Sequence, residues 1–67
     1  MKYNYFDING SIYRRIANKL HSLAYIFKNN KWIEDDNTYV AAHFEDRYDF
    51  VILTQEEAKL RLGVYYE

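Results

Sequence analysis

Hydrophobic residues in the first half of the chain follow two different periods. Residues 2–8 alternate with a period of two, which is typical of a half-buried strand. Further on, the hydrophobic positions recur every three or four residues: Ile12, Ile16, Leu20, Leu23, Ala24 and Phe27. This spacing places one apolar stripe along a helix, so we predict a long amphipathic helix over residues 12–28.

The Asn9-Gly10 pair between these two segments allows two interpretations. By itself it is a strong signal for the two-residue turn of a hairpin, whose second strand would cover residues 11–15. The helical spacing that follows favours instead a turn from strand into helix, with Ser11 as the N-cap. Asn29-Asn30 then marks the end of the helix.

The second half of the chain predicts a hairpin followed by a helix. Residues 38–44 and 49–53 resemble two strands joined across residues 45–48, with Val40 facing the long helix and Tyr39 facing outward. Few polar residues interrupt either strand. A sheet that is apolar on both faces must cover its second face, either with the C-terminal helix or with a second subunit.

Residues 54–57 read Thr-Gln-Glu-Glu, the pattern of a capping box that begins a helix. Ala58 and Leu62 would share its buried side, Gly63 would stop it, and Val64 would pack against its end. A short strand over residues 60–66 is the alternative. We therefore predict an α+β fold for residues 1–67 as one domain, in the order β-α-β-β-α, with a three-stranded, mainly antiparallel sheet packed against one long helix.

The chain has a high content of aromatic residues. The 67 residues include eight Tyr, four Phe and one Trp but no Cys, which excludes disulfides and thiolate metal sites. A domain of this size buries only about 60% of the surface that its unfolded chain exposes. Aromatic side chains supply large contact areas for a compact core or for a partner surface. A homodimer would provide both.

The charges are divided along the chain. Residues 1–33 carry six basic side chains and one acidic, whereas residues 34–67 carry three basic and nine acidic ones. Such asymmetry indicates association with charged partners rather than a particular fold. The basic half favours phosphates or acidic proteins, and the acidic half would repel a nucleic-acid backbone unless it were turned away.

The outer face of the predicted long helix is the first candidate surface. Arg14, Asn18, His21 and Tyr25 would form one line along it, with Arg15 beside them. This set could bind phosphates, stack on a base or dock on an acidic protein, but it also fits an ordinary solvated helix face. Exposed aromatic residues outside the helix could anchor an interface or simply complete the core. The predicted partner-binding residues are Arg14, Arg15, Asn18, His21, Tyr25, Trp32, Tyr39 and Tyr48.

No residue pattern predicts a catalytic site, a cofactor or a metal. The acidic runs at residues 34–36 and 45–49 lack the spacing of a calcium loop and are more typical of solvated turns. They could alternatively face the basic helix of a second subunit. His21 and His43 lie on different predicted elements without further ligands, and both glycines are isolated.

These observations predict a non-enzymatic protein–protein interaction module that is homodimeric and acts as a regulator or inhibitor. The partner would be a second copy or a host macromolecule; the alternative is a nucleic-acid-binding protein that uses the basic helix. An enzyme is the least supported class. Residues typical of AT-rich codons indicate a low-GC bacterium, a phage or a mobile element. The longest apolar stretch, Phe50–Leu53, is too short to span a bilayer, so we expect a soluble, cytoplasmic protein.

Overall fold

Two tight turns organise the first half of the chain into a pair of hairpins. The computed structural model describes residues 2–66. Its elements in chain order are β1 (Tyr3–Ile8), β2 (Ser11–Ile16), β3 (Tyr25–Lys28), β4 (Lys31–Glu34), α1 (Asp36–Phe44), β5 (Phe50–Leu53), α2 (Gln55–Leu62) and a 3-10 turn (Gly63–Tyr65). The two hairpins are β1–β2 and β3–β4.

The prediction of a long helix over residues 12–28 is wrong, and turn chemistry is the reason. Asn9 and Gly10 have φ values of 52° and 89°, and Asn29 and Asn30 have values of 54° and 61°. Two consecutive residues with positive φ form the turn whose twist suits a two-residue hairpin, and Asn and Gly adopt it most readily. Ile12 and Ile16 misled the prediction because a separation of four residues fits both a strand and a helix.

The five strands form one antiparallel sheet in the order β4-β3-β2-β1-β5. The α+β class is confirmed, but within residues 2–66 the sheet has five strands rather than three, and two short helices replace the one long helix. β4 and β5 are the outermost strands. We call their outer sides the β4 edge and the β5 edge.

Residues 38–44, predicted as a strand, belong to helix α1. Asp35 caps this helix, because its side chain accepts a hydrogen bond from the Thr38 backbone N–H at 3.4 Å. The helix buries Tyr39, which strand alternation predicted to face outward. Helical spacing explains this, since Tyr39 and Ala42 share one side of α1.

The other strand and helix predictions correspond to observed elements. Strands cover Tyr3–Ile8 and Phe50–Leu53. The capping box of α2 is complete: the Glu57 N–H donates to Thr54 Oγ1 at 3.1 Å, and the Thr54 N–H donates to Glu57 Oε1 at 2.8 Å. Gly63 ends the helix with a φ of 57°. The predicted contact of Val64 is wrong, because Val64 is exposed.

One helix covers each face of the sheet. The α1 face carries a buried cluster made of Phe6, Ile8, Tyr13, Ala24, Tyr39 and Ala42. The α2 face carries a second one made of Tyr5, Ile12, Leu53, Ala58 and Leu62. Of the two ways to cover the second face, the C-terminal helix is the one observed. No helix within residues 2–66 is long and apolar enough to cross a membrane.

Candidate functional site

Arg14 and Arg15, which were predicted on one helix face, lie on opposite faces of the sheet. They are neighbours in β2, and successive side chains of a strand alternate between its faces. The Arg14 guanidinium carbon lies 3.9 Å from the ring centroid of Tyr3 and 4.1 Å from that of Trp32. Arg14 is therefore stacked between two rings on the α2 face, where cation–π attraction stabilises it.

Arg15 fixes the loop of residues 17–24 on the α1 face. Its guanidinium donates to the Ser22 carbonyl oxygen at 3.0 and 3.2 Å and to the Leu20 carbonyl oxygen at 3.4 Å. It also donates to the Tyr39 hydroxyl oxygen at 3.3 Å. These contacts give Arg15 a structural role, because they satisfy carbonyl groups in a segment that has no strand or helix to bond them.

The predicted row of binding residues is thus divided between several places. Asn18 and His21 lie in the exposed loop between β2 and β3, and Tyr48 is exposed between α1 and β5. On the α2 face a depression of about 230 Å³ is lined by Tyr3, Arg14, Ile16, Tyr25 and Trp32. On the α1 face a depression of about 420 Å³ is lined by Arg15, Leu20, His21, Ser22, Leu23, Asp36, Tyr39, Val40 and Phe44. The expected continuous basic surface is not formed by these residues.

The first acidic run also has structural partners. Asp35 Oδ2 accepts a hydrogen bond from the Tyr13 hydroxyl at 2.9 Å, and Asp36 Oδ1 accepts one from the Ala24 N–H at 2.9 Å. Burial and the neighbouring Asp35 carboxylate raise the pKa of Tyr13 to about 12. Within residues 2–66 no three His, Asp or Glu side chains are grouped closely enough to hold a metal ion.

The two oppositely charged halves of the sequence meet in the fold. β1, from the basic half, lies between β2 and β5, and Asp7 of β1 forms an ion pair with Arg61 of α2. Partial burial alone would raise the pKa of Asp7, but hydrogen bonds from Arg61 and from the Gly10 N–H, with the charge of Arg61, hold it below its usual value. The basic helix that was expected to face acidic turns of a second subunit does not exist.

The β5 edge is an exposed apolar surface that none of these contacts involves. All four side chains of β5 are apolar, and two of them are largely exposed: Val51 at 54% on the α2 face and Ile52 at 68% on the α1 face. The β4 edge differs, since Lys31 and Glu34 flank its two apolar residues. Charged residues on an edge strand oppose pairing with another chain, so only the β4 edge is protected in this way.

The main chain of β5 is oriented for pairing on its outer side. A two-residue turn makes Ile8 and Ser11 a hydrogen-bonded pair, and the bonding direction then alternates along β1. Asp7 and Tyr5 therefore bond toward β5, where they pair with Val51 and Leu53. It follows that the N–H and C=O groups of Phe50 and Ile52 point away from β1, toward the β5 edge.

β5 is not among the sites predicted from the sequence. Its signal was present as the run Phe50–Leu53, four apolar residues without a charge, but only the sheet order reveals that this run is an edge. No protein-family model, no curated protein and no solved structure matches this chain. The candidate site is therefore defined by its geometry alone.

Proposed function

We propose that this protein is a non-catalytic protein-interaction module that binds its partner by adding a strand to the β5 edge. Strand addition uses main-chain hydrogen bonds for affinity and alternating side chains for specificity. The observation that carries the proposal is the difference between the two edges, since the β5 edge is apolar and exposed while the β4 edge carries Lys31 and Glu34.

The partner strand must be apolar on both of its faces. Val51 is exposed on one face of the sheet and Ile52 on the other, so a strand paired beside β5 meets an apolar side chain on each side. A strand with one polar face would place that face against one of them. This requirement favours a protein segment as the partner over a nucleic-acid backbone.

The nucleic-acid alternative has less support from the side-chain contacts. Arg14 is stacked between Tyr3 and Trp32, and Arg15 donates to carbonyl groups of its own chain. Phosphate contacts would require either arginine to leave these partners. Among the eight partner-binding residues predicted from sequence, Tyr48 is the nearest along the chain to β5.

The test is a capture experiment in which three baits are each incubated with nuclease-treated bacterial lysate that also contains an untagged copy of this chain. The baits are the unaltered protein, Ile52→Lys at the β5 edge and Leu60→Lys on the exposed side of α2. Lysine on an edge strand opposes pairing. We expect the first and third baits to retain the same protein and Ile52→Lys to lose it. Equal retention by all three baits, or loss with Leu60→Lys alone, would refute strand addition at the β5 edge.

A further inference from the structure

We infer that the partner at the β5 edge is a second copy of this chain, paired antiparallel about a two-fold axis that passes beside Val51. This inference rests on the proposed function and specifies its partner. In this arrangement Phe50 of each copy lies opposite Ile52 of the other, and the two Val51 residues face each other. Two five-stranded sheets would then become one continuous sheet.

The main-chain groups fit this register. Phe50 and Ile52 direct their N–H and C=O groups outward, so each Phe50–Ile52 pair between copies can exchange two hydrogen bonds. The central Val51 pair falls at a non-hydrogen-bonded position, where side chains approach most closely. Opposite residues share a face, so the α1 layers of both copies lie on the same side.

The side chains of β5 meet the requirement stated for a partner strand. Each of its four residues is apolar, so the strand offers an apolar side chain to both faces of a neighbouring sheet. On the α2 face, Val51 of one copy packs against Val51 of the other. On the α1 face, Phe50 of each copy packs against Ile52 of the other.

The nearest charge also favours the two-fold arrangement. Asp49 precedes β5, and antiparallel pairing centred on Val51 places it opposite Leu53 of the other copy. The two Asp49 residues are then offset by four positions, roughly 14 Å at a strand rise of about 3.4 Å, beyond the Debye length of about 8 Å. A parallel pair would bring the two carboxylates side by side.

A two-fold β5–β5 pair forms a closed dimer, whereas pairing β5 of one copy with the β4 edge of another would form an open assembly. Head-to-tail contact leaves one edge of each kind open and extends into a filament. It would also place apolar β5 residues beside Lys31 and Glu34. The β5–β5 pair leaves two charged β4 edges outward, which limits the assembly to a dimer.

Cysteine cross-linking tests the register, because the chain contains no cysteine of its own. A non-hydrogen-bonded antiparallel pair has a Cα separation of about 4.5 Å, within the range of roughly 4.4–6.8 Å that a disulfide spans. We expect Val51→Cys to form a covalent dimer under mild oxidation at least about tenfold faster than Leu60→Cys, which is the exposed control on α2. Equal rates would overturn the inference, and fastest cross-linking by Ile52→Cys would overturn the register.

Sedimentation of the protein without introduced cysteines tests whether the dimer forms. An interface of two four-residue strands is small and weak, so the concentrations should extend from about 10 µM to 1 mM. We expect mass to rise with concentration for the unaltered protein and for Leu60→Lys, and Ile52→Lys to weaken association by about tenfold or more. A protein that stays monomeric throughout would overturn the second-copy inference. Loss of a captured lysate protein by Ile52→Lys would then still support the proposed function, so the two failures are distinguishable.

Discussion

The two faces of the sheet carry similar rings but different polar contacts. On the α1 face the polar contacts are partly buried and join Tyr13 to Asp35, Arg15 to Ser22 and Ala24 to Asp36. On the α2 face two hydrogen bonds are exposed: the Tyr66 hydroxyl donates to Gln55, and the Gln55 amide donates to the Tyr3 carbonyl. Inside the α2 face, rings pack against one another and against the Arg14 guanidinium.

The difference follows from what each face must hold in place. The α1 face fixes the irregular loop of residues 17–24, and only directional hydrogen bonds can satisfy the backbone groups of such a segment. The α2 face receives a regular helix whose backbone is already bonded, and this helix docks through the buried apolar area of Ala58 and Leu62. The free energy of unfolding should therefore fall when one buried group of the α1 face ionises. On the α2 face it should fall when a buried apolar side chain is shortened.

Leu62→Ala is the strongest way to disturb the α2 face. Leu62 is buried against the sheet, and removing its side chain should lower the free energy of unfolding by about 3 kcal/mol. Leu60→Ala, on the exposed side of the same helix, should change it by less than about 0.5 kcal/mol. Urea denaturation of the three proteins measures both values. Similar losses for the two variants would show that α2 is not docked through Leu62.

High pH should weaken the α1 face through Tyr13. Its folded pKa of about 12 exceeds the usual value of 10, so between these values the unfolded phenol ionises while the folded one stays neutral. Stability is fully present below pH 10 and falls as pH rises, with a loss of about 2 kcal/mol by about pH 11.5. Comparing urea midpoints of the unaltered protein and Tyr13→Phe across this range isolates the effect. The variant should have a smaller slope, and equal slopes would exclude Tyr13 as the cause.

Arg14→Met sharpens the comparison by removing charge while keeping an apolar chain between Tyr3 and Trp32. Loss of the two cation–π contacts should lower stability by about 1 kcal/mol. Arg47→Met is the matched control, because Arg47 pairs with Glu45 at 3.6 Å on the exposed surface and should have almost no effect. Thermal unfolding in parallel distinguishes them, and an equal shift would argue against stacking as the source of stability.

Asp7→Asn should have the smallest effect, at the exposed rim of the α2 face. The folded pKa of Asp7 lies below its usual value, so its contribution is present above that usual value and is lost as pH falls through the folded pKa. The ion pair with Arg61 is partly exposed, which limits the contribution to about 0.5 kcal/mol. Urea denaturation at neutral pH and near pH 3 should show a smaller acid loss for the variant, and an unchanged loss would assign it to other carboxylates.

Local signals predicted some elements well because their causes are local. The alternation of residues 2–8 and the capping box at Thr54 each act within a few residues, and both elements exist. The Asn9-Gly10 pair also indicates the observed hairpin turn, but the helical spacing of residues 12–27 favours a helix over the same segment. In the fold, that spacing joins strand residues such as Ile12 to exposed loop residues such as Leu20, so it reflects no single face.

The candidate site could not be predicted from sequence because it depends on which strand lies outermost. The sequence of Phe50–Leu53 is equally consistent with a central strand. It is an edge strand because β1 is its single neighbour in the sheet. The roles of Arg14 and Arg15 were hidden for a similar reason. Once residues 11–16 form a strand, the two side chains must separate, and each finds partners from distant parts of the chain.

The pairing of β1 with β5 joins residues that are more than 40 positions apart, whereas both hairpins are local. Hairpins form in roughly 1–10 µs, but long-range pairing must first close a large loop and is slower. During synthesis the two hairpins emerge from the ribosome before β5 and α2. Until α2 follows, the ring-rich face around Tyr5 remains uncovered, so this interval is when the nascent chain is most exposed to chaperones and to aggregation.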